Sequence, residues 1–141
     1  LKCTNDRVRT LTETTQGCPF PINEDGTEVS QWWLFLAHMK LEIEAVAKGG
    51  VLICDRTVLD PVAYTLVHGY MADADTMFQV ALPWMLTYSE IVVKQAKRNQ
   101  YHFADGIRSE SDAFRAEVEG AMMMLYEEVK AQFPKLRIIY D

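Results

Sequence analysis

The chain of 141 residues is short of several features that would fix its class at once. No uninterrupted apolar run approaches the ~20 residues of a membrane-spanning helix. The longest, Trp32 to Ala37, is brief and lies inside a helical pattern. The opening LKCTNDRVR holds no signal-peptide core, so no membrane association is expected. Positive charge is in deficit, with 14 Lys and Arg against 20 Asp and Glu and a net charge of −6. That balance argues against a nucleic-acid partner gripped through its phosphates, though a small basic pocket for a nucleotide remains open. Cysteine is scarce. Cys3, Cys18 and Cys54 make an odd count without a C-x-x-C pair, which fits reduced thiols and a cytoplasmic location better than a disulfide framework. His38, His68 and His102 show no metal-ligand spacing and read as surface or hydrogen-bonded histidines. There is no G-x-S-x-G and no Cys–His arrangement of a hydrolase. The glycine-rich phosphate loop G-x-x-x-x-G-K-[ST] is also missing.

What is present is ordinary for a globular protein: 49% hydrophobic and 24% charged residues, enough for one domain. Folding at this length buries roughly two-thirds of the unfolded chain's surface. Arg7 to Glu13 favours a strand through Thr and Val, and Thr14 to Gly26 is a loop broken by Pro19, Pro21 and Gly26. From Thr27 the pattern turns helical, with Trp32, Phe35, Leu36, Met39, Ile43 and Val46 on one predicted buried face, ended by Gly49-Gly50. Val51 to Cys54 has the β-branched apolar character of a strand covered on both faces. Asp60-Pro61 reads as a helix start with Asp60 as N-cap. A further helix is predicted from about Asp75 to Tyr88, bent or interrupted near Pro83. Ile91 to Val93 is a second apolar strand, and Ser111 caps a long helix to about Gln132. Leu136 to Tyr140 closes the chain as another strand. Strands alternating with helices imply an α/β fold with a mainly parallel sheet.

Three stretches in this order carry a family resemblance: CPFPINEDGT (Cys18 to Thr27) leading into the Trp-rich helix with Gln31, GGVLICDRTVLDPVAY (Gly49 to Tyr64), and DGIRSESDAFR (Asp105 to Arg115). Together they resemble the P-loop AAA-type ATPase/kinase domains related to nicotinamide-riboside kinases, over nearly the whole chain. The resemblance implies a P-loop-kinase-like α/β domain: a three-layer parallel sheet with helices on both faces. Here it would lack the first, central strand and the phosphate loop, so residues 1–141 would form a single, N-terminally incomplete domain. Leucine at position 1 favours a fragment or a trimmed chain. Without the central strand, Val51–Cys54 and Ile91–Val93 would lose a shared neighbour and must pair directly, be covered by a partner chain, or belong to a longer product. By position, Asp55 and Arg56 match the family's active-site Asp-Arg pair, Arg108 and Arg115 match its lid arginines, and Glu13 matches the acid after the second strand. The implied cofactors are ATP and Mg²⁺, the metal held by Asp55 through water.

The residues also carry readings of their own. Asp55 stands just beyond a strand's C-terminal end, where open α/β sheets bind ligands, or else it caps the next helix. Arg56 can grip a phosphate bidentately or form a structural ion pair. Arg108 and Arg115 are seven residues apart and can share a helix face, as phosphate clamps or as solvated charge. Trp33 and Tyr64 can stack on a base, although core packing is the plainer role for aromatics. Met122, Met123 and Met124 point in three directions, so at least one must meet another surface. Two functions follow. One is an ATP-dependent phosphotransferase of small nucleoside-like substrates, impaired or inactive for want of the phosphate loop. The other is a non-catalytic, homo-oligomeric ligand-binding protein derived from that fold.

Overall fold

The computed structural model describes residues 7–12, 15–95 and 111–141. Among them, β1 (Val8–Leu11) leads through two single 3₁₀ turns into α1 (Glu28–Val46), β2 (Val51–Cys54), α2 (Asp60–Val67), α3 (Met71–Met85), β3 (Glu90–Val93), α4 (Asp112–Gln132) and β4 (Arg137–Tyr140). β1 pairs in parallel with β2, with Val8 opposite Val51 and Leu11 opposite Cys54. β3 pairs in parallel with β4, Glu90 opposite Arg137 and Val93 opposite Tyr140.

This topology corrects the expected three-layer parallel sheet. Among the described residues there are two separate two-stranded sheets, β1-β2 and β3-β4, and no ladder joins β2 to β3. The strands are four residues each, and most of the framework is helical. Direct pairing, one of the three ways for β2 and β3 to compensate for an absent neighbour, does not occur. Val8, Val51 and Ile53 stay roughly half exposed, so the β1-β2 pair is not the doubly covered sheet that the apolar run suggested.

The core lies between helices instead. Phe35 of α1, Leu59 and Val62 at the start of α2, Met77 and Met85 of α3 and Val129 of α4 are fully buried, and Ile91 joins them from β3. Each such side chain contributes about 1.5–3 kcal/mol by leaving water. The N-termini of α1 and α4 are capped by side chains. The Thr27 hydroxyl accepts the Ser30 N–H at 3.2 Å while the Ser30 hydroxyl accepts the Thr27 N–H at 2.7 Å. The Ser111 hydroxyl accepts the Phe114 N–H at 3.2 Å, as its predicted capping role requires.

Three local expectations need correction. Asp60 is the first residue of α2 rather than its N-cap, and its carboxylate reaches back to accept the Thr57 N–H at 2.8 Å. The Thr57 hydroxyl accepts the Leu59 N–H at 3.2 Å, so T-x-x-D behaves as a capping box one turn before the regular helix. α3 starts a turn earlier than predicted and continues through Pro83 to Met85, without the hydrogen bond that a Pro83 N–H would have made to the Gln79 carbonyl. On α1 the buried face is Gln31, Leu34, Phe35, His38 and Glu42, while Leu36, Ile43 and Val46 of the predicted stripe are exposed. Of its polar members, His38 and Glu42 satisfy each other, whereas the fully buried Gln31 amide has no hydrogen-bond partner among the described residues.

Candidate functional site

The site begins where β1 and β2 end together. The Asp55 N–H donates to the Leu11 carbonyl at 2.9 Å, extending the ladder by one bond. The chain then turns through Arg56 at φ +92°, a region that non-glycine residues rarely occupy. Such a backbone costs about 1–3 kcal/mol and persists only where its surroundings hold it. Here the Arg56 guanidinium donates to Asp60 Oδ1 at 3.2 Å, and Asp60 is itself tied to Thr57. Arg56 lines a cleft.

One wall of that cleft is Arg56, Asp60 and Tyr64, from the β2–α2 turn and α2. His38 and Leu34 of α1 form the floor, and Thr15 and Asn23 of the β1–α1 connection form the opposite wall. The enclosed volume is about 40 Å³. A water needs about 10–15 Å³ on this measure, whereas drug-sized ligands occupy roughly 300–1,000 Å³. The enclosed part thus suits an anionic head group or a hydroxyl, with the remainder of any larger ligand at the mouth. The Thr15 hydroxyl is buried here without a hydrogen-bond partner among the described residues, a cost that a ligand oxygen would remove. A second hollow of about 460 Å³, between Tyr88 and Phe133, sits at the N-terminal ends of β3 and β4, the wrong end for ligand binding in a parallel α/β arrangement.

Behind the cleft floor lies a polar cluster centred on Glu42, which is 1% exposed. Its carboxylate accepts from the Trp84 indole at 2.6 Å and from the Tyr88 hydroxyl at 2.7 Å, and it meets His38 Nε2 at 2.7 Å. Burial, and then the Glu42 charge, push the Tyr88 hydroxyl far above its usual pKa, so it remains a donor. The same causes push the half-buried Cys54 thiol up to about 11.

Of the residues singled out in the sequence, the structure brings Arg56 and Tyr64 together in the cleft. Asp55 is exposed and does not line it: strand alternation places Asp55 on the outward side with Val51 and Ile53. Trp33 is half-buried near Gly17, away from the cleft. Arg115 is paired with Asp112 in the first turn of α4. It does not reach the cleft, although its neighbour Phe114 packs on Tyr64 with ring centroids 5.8 Å apart. Glu13 and Arg108 lie outside the described residues, as do Cys3 and His102. Sequence reasoning missed Thr15, Asn23, His38 and Asp60 as cleft residues, and Glu42 behind them. The only available signal was H-x-x-x-E, which puts His38 and Glu42 on one helix face.

The donor set does not fit the triphosphate of ATP. No glycine-rich backbone cradle with its lysine is present in the sequence, and the cleft is too small for a polyphosphate. Among the described residues no group of three or more His, Cys, Asp or Glu side chains is placed to hold a metal ion. No helix among them is long and apolar enough to cross a membrane. Comparison with protein-family models, with curated proteins and with solved structures finds no match to this chain.

Proposed function

We propose that this chain binds a small nucleoside-like ligand carrying a phosphate, in the manner of the acceptor side of ATP-dependent phosphotransferases, and that these 141 residues do not transfer phosphate by themselves. The observation that carries the reading is Arg56, held in a strained backbone conformation at a parallel strand's C-terminal end and oriented by Asp60 into an anion-sized cleft. A guanidinium in that position binds phosphate through two parallel N–H bonds. Tyr64, packed on Phe114, supports a base or sugar at the mouth, and the orphaned Thr15 hydroxyl supplies a further polar contact. By resemblance, Arg56 corresponds to the second member of an active-site Asp-Arg pair.

Calorimetric titration with adenosine and uridine 5′-monophosphates tests the proposal. At least one nucleotide binds saturably, and at 100 Kd it raises stability by about 2.7 kcal/mol. Arg56→Ala weakens that binding by roughly tenfold or more, as loss of a charge-assisted pair requires. Millimolar ATP with Mg²⁺ gives no more stabilisation than the monophosphates. Absence of binding by both monophosphates, or an Arg56→Ala variant that binds like the parent, contradicts the reading.

Self-association is the partner relation that goes with it. Val8, Val51 and Ile53 on the β1-β2 pair and Leu36, Ile43 and Val46 on α1 are apolar side chains about half exposed or more. Such surface favours pairing between copies over a solvated monomer.

A further inference from the structure

Building on the cleft proposed above, we infer that His38 reads a hydroxyl group of the ligand, accepting its hydrogen bond on Nδ1, with Glu42 as the positioning residue. The Trp84 indole can only donate, and it donates to Glu42 Oε2 at 2.6 Å. The Tyr88 oxygen takes the Val58 N–H at 3.5 Å, which leaves its own proton for Glu42. Both carboxylate oxygens thus accept hydrogen bonds. His38 Nε2, 2.7 Å from Oε1, must then carry the proton of that bond. In the neutral ring the remaining nitrogen, Nδ1, is an acceptor.

His38 is 3% exposed and lines the cleft together with Arg56 and Tyr64. No further hydrogen bond of His38 occurs among the described residues. Among the side chains lining the cleft, Arg56, already bonded to Asp60, is the cationic donor, and His38 Nδ1 is an acceptor beside the Asp60 carboxylate and the Thr15 hydroxyl. A ligand that satisfies both carries an anionic group and a hydroxyl close to it, as a ribonucleotide does. The ribose hydroxyl becomes the feature that the site selects.

His38→Gln is the discriminating variant. The glutamine amide can keep the donor to Glu42, while the acceptor facing the cleft is lost. Affinities of the parent and His38→Gln are measured by calorimetry for adenosine and uridine 5′-monophosphates and for their 2′-deoxy and 3′-deoxy forms. The parent binds the ribonucleotide roughly three- to tenfold more tightly than one of the deoxy forms, and His38→Gln abolishes that preference while still binding. Ring ¹⁵N spectra of the parent show protonated Nε2 and bare Nδ1, and Glu42→Gln disturbs this state. Nucleotide binding with equal ribo- and deoxy-affinities, or an unchanged preference in His38→Gln, overturns this inference and leaves the cleft reading standing. No nucleotide binding by the parent overturns both.

Discussion

At the residue scale the most consequential side chain is Glu42, which the sequence presents as one of several helical acids. It is buried and surrounded by three hydrogen-bonding partners: His38, Trp84 and Tyr88. Removing it leaves those groups unpaired in the core, so Glu42→Ala costs about 3–5 kcal/mol in urea unfolding. Glu42→Gln also destabilises, because its NH₂ faces donors. The cluster predicts a pH dependence of known sign. The Cys54 thiol is raised from 9.0 to about 11 in the folded protein, and the Tyr88 hydroxyl is raised in the same direction. The folded state holds these protons longer than the unfolded chain, so their contribution is complete below pH 9 and is lost as pH rises toward 11. Urea midpoints measured from pH 8 to 11 therefore fall, and they fall less steeply in Cys54→Ala. A flat profile for the parent would show that the thiol and the phenol are not held by Glu42. Arg56 is the other informative residue: the D-R pair was visible in the sequence, but only coordinates separate the exposed Asp55 from the cleft-lining Arg56.

At the scale of elements, strands and helices were largely legible. Val51–Cys54 has the bounds that its apolar β-branched run suggests, and α4 starts after Ser111 and ends at Gln132. Local chemistry sets these features: β-branched runs, a serine cap, glycines in the turn before β2. The face of α1 was not legible, since a hydrophobic stripe assumes that polar residues face water, and here a hydrogen-bonded His–Glu pair takes core positions while Leu36 and Ile43 stay outside. The methionine triplet was read in outline, for Met122 packs on the core while Met124 is exposed. Two turns are testable. Gly50 sits at φ +83°, and a Cβ there would come within 2.4 Å of the Arg7 carbonyl oxygen, so Gly50→Ala pushes β1 off β2 and destabilises by about 1–3 kcal/mol. Thr57→Ala removes the cap of α2 and costs about 1 kcal/mol. It also loosens Asp60 and so weakens nucleotide binding in calorimetry. A Thr57→Ala protein with parental stability and affinity would argue against the T-x-x-D cap as the element that orients Arg56.

At the scale of the whole molecule the sequence implied more sheet than exists. Alternating strands and helices describe the order of elements correctly, yet they do not say which strands pair. Pairing is a long-range property, and among the described residues it stops at β1-β2 and β3-β4. The helices carry the core in consequence, and the β1-β2 pair keeps apolar side chains in solvent. If those side chains meet a second copy, sedimentation equilibrium returns a mass above the monomer, and Ile53→Lys lowers it toward the monomer. A monomer at all concentrations tested removes self-association from the account.

The most direct test of the central claim is a chemical-shift map of the ¹⁵N-labelled protein during titration with uridine or adenosine 5′-monophosphate. The account predicts saturable changes concentrated at Arg56, Tyr64, Asn23 and His38. Changes centred on the hollow between Tyr88 and Phe133, or no saturable change with either nucleotide, would contradict it.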